Sequence, residues 1–141
     1  DGPFRVQAGD LNGDGRPDLV VASFHTNAAL VLLNAGGGAF GAPTSHGVGS
    51  PPTSVALADL DQDGDLDIAT AQALPGGVAL LLNDGAGAFS AGTALAGGTP
   101  YSLAIADLNG DGRADIVTAG ANGPTRVHLG AGGGAFAAAV S

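Results

Sequence analysis

The feature that most constrains this chain is an internal repeat with a period of 47 to 49 residues. Aspartates that open three similar loops are spaced by 49 and 48 residues, at Asp10, Asp59 and Asp107. Phenylalanines that follow three glycine-rich turns are spaced by 49 and 47 residues, at Phe40, Phe89 and Phe136. A period of this size is typical of proteins built from stacked, similar units. We therefore divide the chain into three units, at residues 1–49, 50–98 and 99–141.

Each unit has the same predicted order of elements: a strand, the aspartate loop, two further strands, a glycine-rich turn and a weaker fourth strand opened by the phenylalanine. The second strands are predicted at residues 19–22, 68–71 and 116–119, and the third at 29–33, 78–82 and 126–129. These strands are continuously apolar, which indicates burial on both faces of a sheet. The pattern predicts an all-β fold of three four-stranded antiparallel β-propeller blades. A parallel β-helix is the alternative, although its rungs are usually much shorter than this period.

The three aspartate loops all fit the pattern D-x-[DN]-x-D-G-x-x-D and predict one Ca²⁺ site each. Calcium takes about six to eight oxygen ligands in a flexible shell, and oxygens at positions 1, 3, 5 and 9 can surround one ion where the glycine at position 6 turns the chain sharply. The side chains at these four positions are Asp10, Asn12, Asp14 and Asp18; Asp59, Asp61, Asp63 and Asp67; and Asp107, Asn109, Asp111 and Asp115. The backbone carbonyl at position 7 completes each set, at Arg16, Asp65 and Arg113.

The distribution of charge supports a cation in these loops. The chain has 13 acidic residues, all aspartate, against four arginines, and its formal net charge is −9. Only Asp1 and Asp84 lie outside the loops, so folding would concentrate the other carboxylates. Mg²⁺ is less suitable because it demands strict octahedral geometry, and Zn²⁺ normally recruits His or Cys. Metal-free Asx-turn loops are the structural alternative, and the acidic charge argues against a nucleic-acid partner.

The aspartate loop, followed by an apolar strand and a Gly-x-Gly-x-Phe turn, resembles the FG-GAP/VCBS repeats of integrin α-subunit β-propellers and of many secreted bacterial proteins. The resemblance covers essentially the whole chain. It implies a propeller that holds Ca²⁺ between the first two strands of each blade, with the side-chain ligands named above, and an extracellular or secreted location.

Three functions remain open from the sequence. The first is a calcium-stabilised, non-catalytic scaffold for structure and interaction with a protein ligand. The second is a carbohydrate-binding, lectin-like propeller. An enzyme ranks last, because the three histidines fall at non-equivalent repeat positions: His25, His46 and His128. No apolar stretch reaches the roughly 18 residues of a membrane span.

The number of units predicts self-association. Propellers typically close with about four to eight blades, and this chain supplies three. Two copies joined head to tail would close a six-bladed ring, so we expect a homodimer with a two-fold axis along the channel. Four polar residues are expected near its two joints: Arg5, Gln7, Arg126 and His128. The alternative is a fragment whose remaining blades lie on a longer chain.

Overall fold

The computed structural model describes residues 2–120 and 123–140, so the predicted outer limits of the first and last units, at residues 1 and 141, lie outside the described residues. Within this part the chain folds into strands joined by turns, and it has no helix that could cross a membrane. The strands are β1 (Pro3–Gly9), β2 (Asp18–Ser23), β3 (Ala28–Leu32), β4 (Asn34–Gly36), β5 (Ala39–Phe40), β6 (Thr44–Gly47), β7 (Pro52–Ala58), β8 (Asp67–Gln72), β9 (Gly77–Asn83), β10 (Phe89–Ala91), β11 (Ser102–Ala106), β12 (Asp115–Ala119), β13 (Arg126–His128), β14 (Gly130–Gly132) and β15 (Ala135–Phe136).

Three antiparallel sheets follow one another along the chain, and we call them blades 1, 2 and 3. Their strand orders are β1-β2-β3-β6, β7-β8-β9-β10 and β11-β12-β13. Strand β7 packs beside both β1 and β11, so the first strands of successive blades are neighbours, as a radial arrangement requires. The predicted all-β fold of propeller blades is confirmed.

The fourth strands differ between blades. Phe89 opens β10, which pairs with β9 as predicted. In blade 1, Phe40 instead closes a small hairpin of β4 and β5, and the outer strand begins only at Thr44. The glycine-rich turn of blade 1 forms its own hairpin before the chain returns to the sheet. In the described part of blade 3, a single bridge between Val127 and Val140 stands in for the fourth strand.

The apolar cores lie between the blades. The core between blades 1 and 2 combines Val20 and Val31 from one sheet with Ile68 and Leu81 from the other. A second core joins blades 2 and 3 around residues that include Leu80 and Ile116. Strand β8 is buried at every position. Burial on both faces is therefore confirmed for the middle blade, which has a neighbour on each side.

The expected position of the four polar residues at the open ends is wrong. His128 pairs with Ile116 and is buried, so it lies on the face of blade 3 that packs against blade 2. Arg126 is two residues away on the same face, since side chains alternate along a strand. In blade 1, Arg5 and Gln7 pair with residues of β2 that face blade 2. The four residues therefore lie at the contacts between blades 1 and 2 and between blades 2 and 3, which we call the internal joints. The outer faces of the end blades are apolar.

Candidate metal centres

The three aspartate loops connect the first two strands of each blade and share one backbone conformation. The first aspartate of each loop folds back over it: the amide N–H groups of Gly15, Gly64 and Gly112 donate to Oδ2 of Asp10, Asp59 and Asp107 over 2.8, 3.1 and 2.9 Å. These glycines have φ of 79°, 98° and 81°, a conformation that residues with a Cβ rarely adopt. The glycine at position 6 is thus required for the turn that brings the loop carboxylates together.

The aspartate at position 9 has a structural role that the sequence did not reveal. Asp67 is fully buried, and its two oxygens accept N–H bonds from Leu60 and Asn83, both at 2.8 Å. Asp18 and Asp115 make the equivalent pairs of bonds in the other blades. Each of these carboxylates therefore ties the start of its loop to the end of the third strand. Every oxygen keeps a further lone pair, so the same side chain can also face a cation.

The middle loop brings three of its predicted carboxylate ligands together. Asp59, Asp61 and Asp67 each offer an oxygen, and these oxygens lie within 4.8 Å of one another. Burial, together with the charge of Asp63, raises the pKa of Asp61. Burial also raises the pKa of Asp67, against the lowering effect of its two N–H donors. The middle loop thus holds carboxylates whose negative charge is poorly compensated within the described structure.

The remaining predicted ligands of the middle loop lie outside this group. Asp63 is exposed, and its Oδ1 accepts the amide N–H of Asp65 at 3.0 Å. The side chain of Asp65 lies against Gly85 in the glycine-rich turn of its own blade. Only the backbone carbonyl of Asp65 was predicted as a ligand, and the position of its side chain is consistent with that assignment.

The flanking loops differ from the middle loop because they carry internal cations. The guanidinium of Arg16 pairs with Asp14 at 2.6 Å, and that of Arg113 pairs with Asp111 at 3.4 Å. The sequence predicts only the backbone carbonyls of these arginines as ligands, not their side chains. At position 3 the amides of Asn12 and Asn109 each donate to the same Asp14 and Asp111 carboxylates over 3.0 Å.

The first aspartate of each flanking loop is stabilised as an anion. The N–H of Gly15 is the main cause that lowers the pKa of Asp10, and the N–H of Gly112 has the same effect on Asp107. Both carboxylates are therefore charged over a wide pH range, as a metal ligand must be. The flanking loops offer carboxylate, amide and carbonyl oxygens, which are the ligand types of Ca²⁺.

The histidines occupy packing positions. His46 lies edge-on to Phe89, with 5.0 Å between ring centroids. Burial lowers the pKa of both His46 and His128, which favours their neutral forms. His25 lies edge-on to Phe24 near the end of β2.

Comparison with known proteins identifies the repeat. No curated protein matches the chain in sequence. Twelve chains of solved structures match it. One is a lectin from Agrocybe aegerita, whose structure was reported as the basis of specific recognition of non-reducing terminal N-acetylglucosamine. That match has 26% identity and a TM-score of 0.62, and it covers 96% of this chain but only 37% of the lectin chain.

Family models match the chain directly. The model of the FG-GAP-like repeat matches residues 10–70 and 69–118, and the model of the FG-GAP repeat matches residues 99–140. The matches of the first model include all three aspartate loops, and the match of the second includes the third loop. The chain belongs to the FG-GAP repeat family.

Proposed function

We propose that this chain is a calcium-binding, non-catalytic propeller scaffold with one Ca²⁺ per blade. The observation that carries the proposal is the middle loop, where oxygens of Asp59, Asp61 and Asp67 converge within 4.8 Å. Five aspartates and no arginine occupy this loop. Such a cluster of hard anionic oxygens suits a hard cation that accepts a flexible shell.

Calcium would act chiefly by relieving repulsion in the folded state. Three ions change the formal charge from −9 to −9 + 6 = −3. An ion that binds the folded loop and not the unfolded chain stabilises the fold by about 2.7 kcal/mol per site at 100-fold excess over Kd. Calcium sites of extracellular modules have Kd values of about 10⁻⁴ to 10⁻³ M. An extracellular location, which the family resemblance implies, would supply calcium in that range.

The test is thermal unfolding and calorimetric titration of the chain after treatment with EDTA. Added Ca²⁺ should raise Tm and bind with a stoichiometry of three, while Mg²⁺ at equal concentration should have a much smaller effect. The variant Asp59→Asn should remove one site from the stoichiometry. A Tm that Ca²⁺ does not move, together with no heat of binding, would exclude the proposal.

A second candidate function is binding of a glycan. It is favoured by the similarity to the Agrocybe aegerita lectin over 96% of this chain. A cavity of about 300 Å³ between blades 2 and 3 has Phe136 among its lining residues, and its ring offers an apolar face on which a sugar can pack. Titration with terminal N-acetylglucosamine should then give saturable binding that Phe136→Ala weakens. Absence of binding at millimolar sugar would exclude the glycan-binding function and leave the calcium-binding scaffold as the proposed function.

A further inference from the structure

Each internal joint is formed by a leucine from the aspartate loop of one blade that inserts into the next blade. Leu11 is 1% exposed in the core between blades 1 and 2, and Leu60 is 4% exposed in the core between blades 2 and 3. Leu108 holds the same loop position in blade 3, where no further blade follows within the described residues, and it is 52% exposed. Blade 3 therefore exposes the leucine that would insert into a following blade, and no following blade is present among the described residues to bury it.

The outer edge of blade 3 repeats this pattern at a second position. Val48 and Leu95 close the internal cores near the last strand of blades 1 and 2 and are 7% and 8% exposed. Val140 bridges Val127 and, like it, lies on the face of blade 3 turned away from blade 2. It is 59% exposed. Blade 3 thus exposes Leu108 and Val140, whereas the apolar side chains at the same end of blades 1 and 2 are buried.

The opposite end carries the matching receiving surface. In blade 2, Val55, Ile68 and Leu81 share a core with Leu11. The residues 49 positions earlier in blade 1 are also apolar: Val6, Leu19 and Leu32. They lie on the face of blade 1 turned away from blade 2, because their neighbours in the strands face the core. Val6 is consequently 56% exposed, whereas Val55 is 2% exposed.

An asparagine at the end of the third strand also bonds across the joint to the preceding blade. The side-chain amide of Asn83 donates to the carbonyl of Leu66 in its own blade at 3.0 Å and to that of Leu11 in the preceding blade at 2.9 Å. Asn34 holds the equivalent position in blade 1 and makes the first of these bonds, to Pro17, at 2.9 Å. Its amide has a second N–H with which to bond a preceding loop.

The glycine-rich turns of blades 2 and 3 also pack on the aspartate loop of the preceding blade. A Cβ at Gly87 would lie 3.7 Å from Cβ of Asn12, and a Cβ at Gly134 would lie 3.5 Å from Cβ of Asp61. At Gly38, the equivalent residue of blade 1, a Cβ would meet no atom within 4 Å in the described structure. The turn of blade 1 thus has the shape of the others and lacks the loop that they cover.

We infer that the open face of blade 1 binds the aspartate loop of blade 3 from a second copy of this chain. Leu108 of one copy enters the surface formed by Val6, Leu19 and Leu32 of the other, and Asn34 donates to the carbonyl of Leu108. The outer face of blade 1 resembles the receiving side of the contacts between neighbouring blades, and the outer side of blade 3 resembles the inserting side. The two surfaces therefore fit each other. Two such joints related by a two-fold axis close a ring of six blades, within the usual range of about four to eight.

This inference rests on the proposed scaffold function, and the experiment separates the two. The molar mass of the 141-residue chain is measured by sedimentation equilibrium in Ca²⁺, and the binding of Ca²⁺ is measured on the same samples. The expected mass is twice 13.3 kDa. A monomer that binds calcium would overturn the inference and leave the scaffold intact. A dimer that binds no calcium would overturn the calcium proposal only.

Two variants locate the interface. Leu108→Asp places a charge in the new joint and should weaken dimerisation at least about 100-fold, and Val6→Asp should do the same from the other side. The matched control is Leu74→Asp, since Leu74 is 69% exposed and belongs to neither core. Circular dichroism establishes that the variants fold. If Leu108→Asp and Leu74→Asp have the same mass, the assigned interface is wrong.

Discussion

The double role of Asp67 can be separated by one substitution, Asp67→Asn. The change keeps one acceptor oxygen and replaces the other by an NH₂ group, which then faces the buried amide N–H of Leu60 or of Asn83. A hydrogen bond to a charged acceptor contributes about 1.5 to 3 kcal/mol, and a buried donor without a partner costs about 1 to 3 kcal/mol. The loss of this bond should therefore destabilise the fold even without metal.

Part of that loss is offset. Burial raises the pKa of Asp67, and the charges of Asp61 and Asp63 raise it further. The side chain of the Asn variant is neutral, so it avoids the burial cost and the charge repulsion that the carboxylate experiences. We expect a net loss of about 1 to 2 kcal/mol in EDTA, smaller than the bond alone. For a chain of 141 residues this corresponds to a decrease in Tm of about 3 to 7 °C.

The matched control is Asp63→Asn, the same chemical change in the same loop. Asp63 is exposed and its carboxylate accepts one loop N–H, so its Tm in EDTA should stay within about 2 °C of the original chain. In Ca²⁺ both variants should lose the contribution of the middle site. Differential scanning calorimetry with and without Ca²⁺ gives all four values. Equal decreases in EDTA would refute the structural role assigned to the buried carboxylate.

Four further changes test other parts of the structure. Asp65→Ala keeps the position-7 carbonyl, so calorimetry should show a nearly unchanged Ca²⁺ affinity; a loss as large as that of Asp63→Ala would show that position 7 is misassigned. Gln62 has φ of 72° where the other loops have glycine, and Gln62→Gly should stabilise the chain by about 0.5 to 1 kcal/mol in urea unfolding; unchanged stability would contradict this strain. Asn83→Ala removes a bond across the joint and should cost about 1 to 3 kcal/mol in the same assay. The raised pKa values of Asp61 and Asp67 mean that metal-free stability falls as pH rises from the ordinary 3.8 through those values. Calcium needs both charges, so its effect on Tm should vanish on acidification, and a constant effect would argue against these ligands.

The units and their loops could be predicted from the sequence because both depend on local spacing. Asp10 and its counterparts recur with the period of the chain, and the glycine five residues later is needed for the turn in each loop. The same spacing predicts the second strands to within one residue at each end. These features require no knowledge of what packs against them.

The direction of side chains could not be predicted in the same way. Strands that are apolar throughout have no alternation to indicate which face meets which neighbour. The prediction of an open end for Arg126 and His128 is therefore wrong, and both lie on the face of blade 3 that meets blade 2. The bonds of Asp67 to Leu60 and Asn83 join residues 7 and 16 positions away. Such bonds follow from sheet geometry and have no signature in the spacing of the loop.

The location of the cores between the sheets has a consequence for how this chain unfolds. A single blade has no apolar interior of its own, because Ile68 and Leu81 pack against blade 1 while Ala69 and Leu80 pack against blade 3. Separation of two blades would expose both halves of a core at once. In repeat proteins the coupling between neighbours makes adjacent units melt together. The middle blade is thus the cooperative centre of the chain, and a cut within it would leave neither remaining part with a complete core.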